Sequence, residues 1–258
     1  TTASDNVAIG RDSLRLNTEG FSNVGVGRNT LYDNTTGDCN VAVGCNALAN
    51  NTTADNNTGI GHGSLGVNTT GCQNTGLGRN SLQDNTTGCR NVSLGLDSLS
   101  NNTTGECNTG VGFDAGSTIT TGSNLTVLGS GAQPSSATAT NEITLGNSSV
   151  TSLRCADTSI SSLSDLRDKK NVEDIPHGLD FINALRPVKF DWNARDGSRI
   201  GKKDYGFIAQ ELDKVEETFG NREYTRLVSK ENPEKWEADP MKTYPILIKA
   251  IQELTARV

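Results

Sequence analysis

The stretch SDLRDKK at 164–170 gathers the side chains best suited to chemistry in this sequence: Ser164, Asp165, Arg167, Lys169 and Lys170. A serine hydroxyl is a weak nucleophile until a base takes its proton, and a lysine is such a base only where burial or a nearby cation disfavours its charge. The chemistry open to a serine and a lysine here is attack of the hydroxyl on a peptide carbonyl. Ser164 and Lys169 are five positions apart, which puts them on opposite faces of a strand and about 140° apart around a helix. No regular element therefore joins them; a turn or a neighbouring chain has to. The competing reading of this stretch is a solvated hinge.

The elements around it divide the chain of 258 residues in two. Of 28 glycines, 23 precede Ser164, whereas 17 of the 23 Lys and Arg residues and both tryptophans follow it. A net charge of -7 argues against a nucleic-acid partner or an anionic membrane surface. No run of about 18 apolar residues is present, so no membrane insertion is expected. The six cysteines form no CxxC or Cys/His cluster of zinc-like spacing, so the sequence predicts no metal site and calls for no cofactor. They read as small buried thiols.

The first part is a repeat. NVAIG at 6–10 returns as NVGVG (23–27), NVAVG (40–44), NTGIG (57–61), NTGLG (74–78), NVSLG (91–95) and NTGVG (108–112), each block beginning seventeen positions after the last. A leucine column (Leu14, Leu31, Leu48, Leu65, Leu82, Leu99) and an asparagine column (Asn17, Asn34, Asn51, Asn68, Asn85, Asn102) keep step. Each unit reads as a short strand, a leucine-bearing segment and an NTTG turn whose Asn and Gly tolerate positive φ. About three glycines per unit argue against helical repeats, so the unit reads as one coil of a β-solenoid.

One such coil has little apolar surface to bury against the entropy of ordering it. Several chains packed side by side supply the missing burial, with the leucine column or the small-residue face turned to a common axis, and a parallel homotrimer is expected. Stacked Thr35, Thr52, Thr69, Thr86 and Thr103 offer a hydroxyl ladder of the kind that meets ice or glycan, or simply suit the turn. Cys72 and Cys89 share one column a period apart, a separation near the strand spacing of about 4.8 Å and inside the window for a disulfide. Side chains stacked in one column point in parallel, and assembly in a reducing cytosol favours free thiols.

After Gly112 the period fades. A sparse apolar pattern through 117–163 (Leu128, Ile143, Leu145, Val150, Leu153, Ile160, Leu163) predicts an intertwined triple-stranded β stalk. From Asp165 the pattern is α+β. HGLDFINAL (177–185) reads as a helix stopped by Pro187, VKFDWN as a strand, YGFIAQEL as the start of another helix, and YPILIKAIQELTARV as a closing helix. In that last helix Ile246, Leu247, Ala250, Ile251 and Leu254 form one stripe, suited to a bundle around a three-fold axis. The expected organisation is a mainly β chain, with a trimeric solenoid over 1–116 and a stalk over 117–163, followed by an α+β domain over 164–258.

The repeat is similar to the head repeats of trimeric adhesins and of phage fibre proteins, where N-x-A-x-G units form trimeric β-rolls. SDLRDKKNVEDI resembles the S-D-x-R-x-K-x-x-[IV] signature of the S74 family of C-terminal intramolecular chaperone domains. LDFINALRPVKFDWN, DYGFIAQEL and PILIKAIQEL follow in that family's order, so the resemblance runs to Val258. It implies a domain that trimerises, holds the chains while an upstream β-fibre folds, and releases itself by autoproteolysis with a Ser/Lys dyad. Carried onto this sequence, it makes Ser164 the nucleophile and Lys169, rather than Lys170, the general base, with Asp165 and Arg167 in support. The bond cleaved flanks Ser164 on one side or the other.

The expected protein is therefore the distal part of a phage tail or side fibre, assembled in the host cytoplasm, residing in the virion and binding a host cell-surface receptor, a glycan. The alternative is a cellular trimeric adhesin whose chaperone stays on as an uncleaved cap. No carboxylate pair or triad recurs in the repeat, so no general hydrolase is suggested.

Overall fold

The computed structural model describes residues 2–155, 164–195, 199–220, 222–234 and 236–257. It divides into two compact units, Thr1–Val150 and Thr151–Val258.

The first unit is a parallel β-solenoid. Nine strands pair in chain order into one sheet: β1 (Val7–Ile9), β2 (Val24–Val26), β3 (Val41–Val43), β4 (Thr58–Ile60), β5 (Thr75–Leu77), β6 (Val92–Leu94), β7 (Thr109–Val111), β8 (Ser123–Leu128) and β9 (Thr140–Leu145). Every pairing in it is parallel and shifted by one period of the repeat, as in Val24↔Val41 and Thr109↔Thr126. The middle residue of a strand points into the coil and its two neighbours point out, as the pleat requires: Ala42 is fully buried while Val41 and Val43 are half-exposed. The segment after each strand is a run of turns carrying the leucine. Leu31, Leu48, Leu65, Leu82 and Leu99 are completely buried and stack into the core with Ala42 and Ala47.

Polar ladders fill the rest of the interior. Asn34 Nδ2 donates to Asn17 Oδ1 one coil back (2.8 Å) and to the Gly37 carbonyl (2.9 Å), and the ladder continues through Asn51, Asn68, Asn85 and Asn102. In a second ladder the Asn40 amide donates to Asn23 Oδ1 (2.9 Å) and Asn40 Nδ2 to the Ala54 carbonyl (2.8 Å). These buried amides are satisfied by groups that exist only in the stacked state, which is what makes a polar interior stable.

Three expectations change. First, the leucine and small-residue columns do not face a common axis; they fill the coil's own core. The residues left uncovered are the outward strand positions, aliphatic along the sheet: Ile9, Val26, Val43, Ile60, Leu77, Leu94, Val111, Leu128 and Leu145, with Ile9 60% and Leu77 48% exposed. Second, positive φ does not fall on the Asn and Gly of the NTTG turn. It falls on the leucines themselves (48–53°), on the residue two before each of them, on the residue two before each of β1 to β7 and on the glycine following each strand. Gly78 (φ 137°) is a case in point, since a Cβ there would also lie 2.4 Å from the Gly95 carbonyl oxygen, a conformation and an approach that only glycine tolerates. Gly88, by contrast, has no unusual φ; a side chain would strike the Gly105 carbonyl at 2.4 Å and Asn85 Oδ1 at 2.5 Å.

Third, residues 117–150 are not an intertwined stalk but a continuation of the coils. Gly116 stands where the next leucine of the column belongs, and Ile119 and Leu125, both buried, refill the space with Val127, Ala132 and Ala139. Leu125 takes the asparagine position, its amide closing the ladder on Asn108 Oδ1 at 3.0 Å. The expected stalk's continuation through Ile160 and Leu163 lies outside the described residues.

The second unit is small and α+β. Helix α1 (Leu179–Ala184) leads to the hairpin β10 (Val188–Asp191) and β11 (Lys203–Gly206). Helices α2 (Ala209–Phe219) and α3 (Arg222–Thr225), the short strands β12 (Val228–Ser229) and β13 (Glu237–Ala238), and α4 (Tyr244–Thr255) follow. Phe181, Leu212, Leu227 and Ile246 form its core. On α4 only Ile246 and Ala250 of the expected stripe are buried; Leu247, Ile251 and Leu254 are 42%, 56% and 53% exposed.

Candidate active site

The turn that the five-position spacing demands is present. Leu166–Asp168 forms one turn of 3-10 helix, with the Asp168 amide donating to the Asp165 carbonyl and the Lys169 amide to the Leu166 carbonyl, each at 3.1 Å. Asp165 caps it. Its Oδ1 accepts the Arg167 amide at 2.9 Å, and its carboxylate also takes the Arg167 guanidinium, Nε at 3.0 and 3.1 Å and Nη2 at 2.6 Å. The chain thereby folds back, and Lys169 Nζ donates to Ser164 Oγ at 2.8 Å. Among the described residues Lys169, and not Lys170, reaches this hydroxyl. Asp165 and Arg167 touch neither reacting group; they shape the turn.

The guanidinium bonds, and then the Arg167 amide, hold the Asp165 carboxyl below the usual carboxylate range. A depressed acid stabilises the turn at neutral pH, and that contribution is lost as the pH falls through the lowered value. We expect the Asp165 carboxyl carbon resonance to titrate below the free-aspartate midpoint of about 3.9, and Arg167→Ala, which removes the guanidinium bonds but keeps the amide, to raise it toward that midpoint. An unchanged midpoint in the variant would remove Arg167 from the turn.

Three acids of the second unit have structural roles that the sequence does not signal. Glu216 is fully buried; its Oε1 accepts the Thr225 hydroxyl (2.5 Å) and the Leu227 amide (2.6 Å), pinning the chain after α3 to α2. Asp213 pairs with Arg222 and, at 2.6 Å, with Lys230. Glu253 on α4 accepts the Leu179 amide at 2.8 Å, capping α1 from the far end of the domain's sequence. An acid so far from the helix it caps has no local pattern to betray it.

The threonine column is structural. Thr35, Thr52, Thr69, Thr86 and Thr103 each donate their hydroxyl to the threonine carbonyl of the next coil, at 3.0–3.1 Å. The expectation of buried thiols is corrected: Cys39, Cys107 and Cys155 are exposed and Cys45, Cys72 and Cys89 half-buried. Small outward positions on the turns, rather than core positions, hold them. Among the described residues no cluster of three or more His, Cys, Asp or Glu converges as metal ligands, and no helix is long and apolar enough to cross a membrane.

Fold and site together define a parallel β-solenoid joined to a small α+β domain that begins on a capped Ser/Lys turn. Residues 164–221 match the Peptidase_S74 family model, described as chaperone of endosialidase. The match starts at Ser164 and runs through α2, so the chain carries a chaperone-of-endosialidase domain there; α3, β12, β13 and α4 lie beyond it. Neither curated proteins nor solved structures gave a match.

Proposed function

We propose that this chain is the distal part of a phage tail or side fibre, that it assembles as a homotrimer in the host cytoplasm, and that its C-terminal domain chaperones trimerisation and then cuts itself off at Ser164. The observation that carries the proteolytic part is the 2.8 Å contact between Lys169 Nζ and Ser164 Oγ at the first residue of the matched domain. As it stands the ammonium donates to the hydroxyl; catalysis needs the neutral amine and the reverse bond.

The bond we assign is Leu163–Ser164, whose Leu163 side lies outside the described residues. Lys169 Nζ accepts the hydroxyl proton as Oγ attacks the Leu163 carbonyl carbon. The C–N bond breaks, the lysine returns the proton to the departing Ser164 nitrogen, and an ester joins Leu163 to Ser164 Oγ. Water then hydrolyses the ester, giving a Leu163 carboxylate and a free hydroxyl. A lysine base needs burial. Yet Ser164 and Lys169 are exposed in the single chain, beside the equally exposed apolar side chains of Leu166 and Val172. A neighbouring chain packed over these apolar side chains would bury the pair, which couples cleavage to assembly.

Two uncovered apolar surfaces support the trimer: the aliphatic column along the outer sheet face, and Leu247, Ile251 and Leu254 on α4. The fibre resides in the virion and meets a host-surface glycan; the exposed threonines Thr36, Thr53, Thr70, Thr87 and Thr104, whose hydroxyls are not those of the internal ladder, are the surface offered to it.

The test is expression of the whole chain. A denaturing gel should show pieces of about 163 and 95 residues, the division of 258 residues before Ser164, and sedimentation equilibrium of the uncut Ser164→Ala chain should give three times the chain mass. Leu77→Asp, on the outer face, should yield monomer with the β-rich spectrum retained. A folded monomer at micromolar concentration in the wild type overturns the trimer, and a single uncut band from folded trimer overturns the protease.

A further inference from the structure

Several coils share a small device just before their strands. The backbone amide of one coil donates to a side-chain acceptor in the next: Phe21 to Asp38 Oδ1 (2.9 Å), Asp38 to Asp55 Oδ1 (2.8 Å) and Glu106 to Ser123 Oγ (3.0 Å). Cys89 occupies the same slot, its sulfur accepting the Cys72 amide at 3.0 Å. The residue donating that amide is itself a cysteine, and the two sulfurs lie 2.9 Å apart. A small shift of either side chain brings them to bonding distance. Both thiols are free in this structure, but they do not point in parallel, because the slot turns the Cys89 side chain back toward the preceding coil. Both cysteines are half-buried rather than sealed, so a small reagent reaches them.

We propose that Cys72 and Cys89 are a redox-reactive dithiol that closes into a disulfide between adjacent coils, tying the turn before β5 to the turn before β6. The oxidant is a low-molecular-weight disulfide of the glutathione class. Either sulfur can attack first: an amide donates to Cys89 Sγ, which itself donates to the Thr87 carbonyl at 3.6 Å, and either atom can be the donor between the two sulfurs. The bond to Cys89, then burial, keeps the Cys72 thiol above the ordinary range. One of the two, as thiolate, attacks the oxidant, breaking its S–S bond, forming a mixed disulfide and expelling one small thiolate. The other cysteine then loses its proton and attacks the first cysteine's sulfur, and the second small thiolate leaves. Two protein thiols are oxidised to one disulfide and one small-molecule disulfide is reduced to two thiols. The staple closes a loop of one coil and so removes the route by which the stack opens between those two coils.

The inference does not depend on the fibre reading. Its test uses the full chain, equilibrated with oxidised glutathione, alkylated and digested with trypsin. Cleavage at Arg79 separates the two cysteines, so the disulfide should appear as a linked peptide pair, with fragment ions placing the bond at Cys72 rather than at Cys39 or Cys45. The oxidised protein should melt several degrees above the reduced one, and dithiothreitol should abolish the difference. Cys72→Ser and Cys89→Ser should each lose both the link and the shift while folding normally, since aspartate fills the same column at Asp38 and Asp55. Full alkylation of both thiols after treatment, linkage to Cys107 or between chains, or a link with no change in melting overturns the proposal.

Discussion

Ser164→Ala leaves the chain a single full-length band. The rate should fall by at least about a thousandfold, because removing a nucleophile leaves only what binding and geometry contribute. Lys169→Ala should do nearly the same, and Lys169→Arg no better, since a guanidinium keeps its proton at any pH at which the protein is folded. Lys170→Ala should cleave close to normally, because Lys170 is not the amine bonded to Oγ. All four variants should remain trimers with the same β-rich spectrum, as the core of the second unit is Phe181, Leu212, Leu227 and Ile246, away from the turn. Cleavage of Ser164→Ala at the wild-type rate would show that another residue does the chemistry. A wild type that never cleaves, alongside a normal trimer, would leave the domain as a permanent cap.

The second large effect concerns Leu65, which is fully buried and held at a φ of 51°. Leu65→Asp places an uncompensated charge in the stack and should give insoluble or misassembled chain, a cost of several kcal/mol. The more discriminating pair is Leu65→Met and Leu65→Ile. Methionine keeps the volume and an unbranched Cβ, and should cost less than about 1.5 kcal/mol. Isoleucine has the same volume as leucine, but a β-branched side chain is a real outlier at positive φ and should cost about 1–2 kcal/mol more than methionine. Thermal melts of the two variants decide the matter. Equal melting would mean that the backbone relaxes out of the left-handed region and that the column is held by packing alone.

The repeat is legible because its period sits directly in the sequence, and the register of β1 to β7 follows from it. The departures share a cause. Where Leu65 points cannot be read from its spacing, because a period fixes which residues stack but not whether a stacked column faces in or out. Leucine is also a poor herald of left-handed backbone, so residue type alone directs positive φ to Asn and Gly instead. The coils at 117–150 escape the motif because Gly116, Leu125 and Glu142 replace the signature residues while keeping the spacing. At the seam, the sequence requires a turn between Ser164 and Lys169, and the Asp165 cap and 3-10 geometry supply it. The ties that assemble the rest of that domain, Glu253 to Leu179 and Glu216 to Leu227, join residues too distant for any local pattern.

The asparagine ladders also rule the solenoid like a graduated scale. Each coil meets only its two neighbours, and the amide bonds that run along each ladder span a whole period. Inserting or deleting one whole period therefore lengthens or shortens the stack by one graduation, about 4.8 Å, and leaves all other bonds as they were. An insertion of any other size puts a leucine or a threonine opposite an asparagine and interrupts both ladders at once. The length of such a stack can change only in whole steps, so its reach is tuned by copying coils, while the turn at the seam stays untouched.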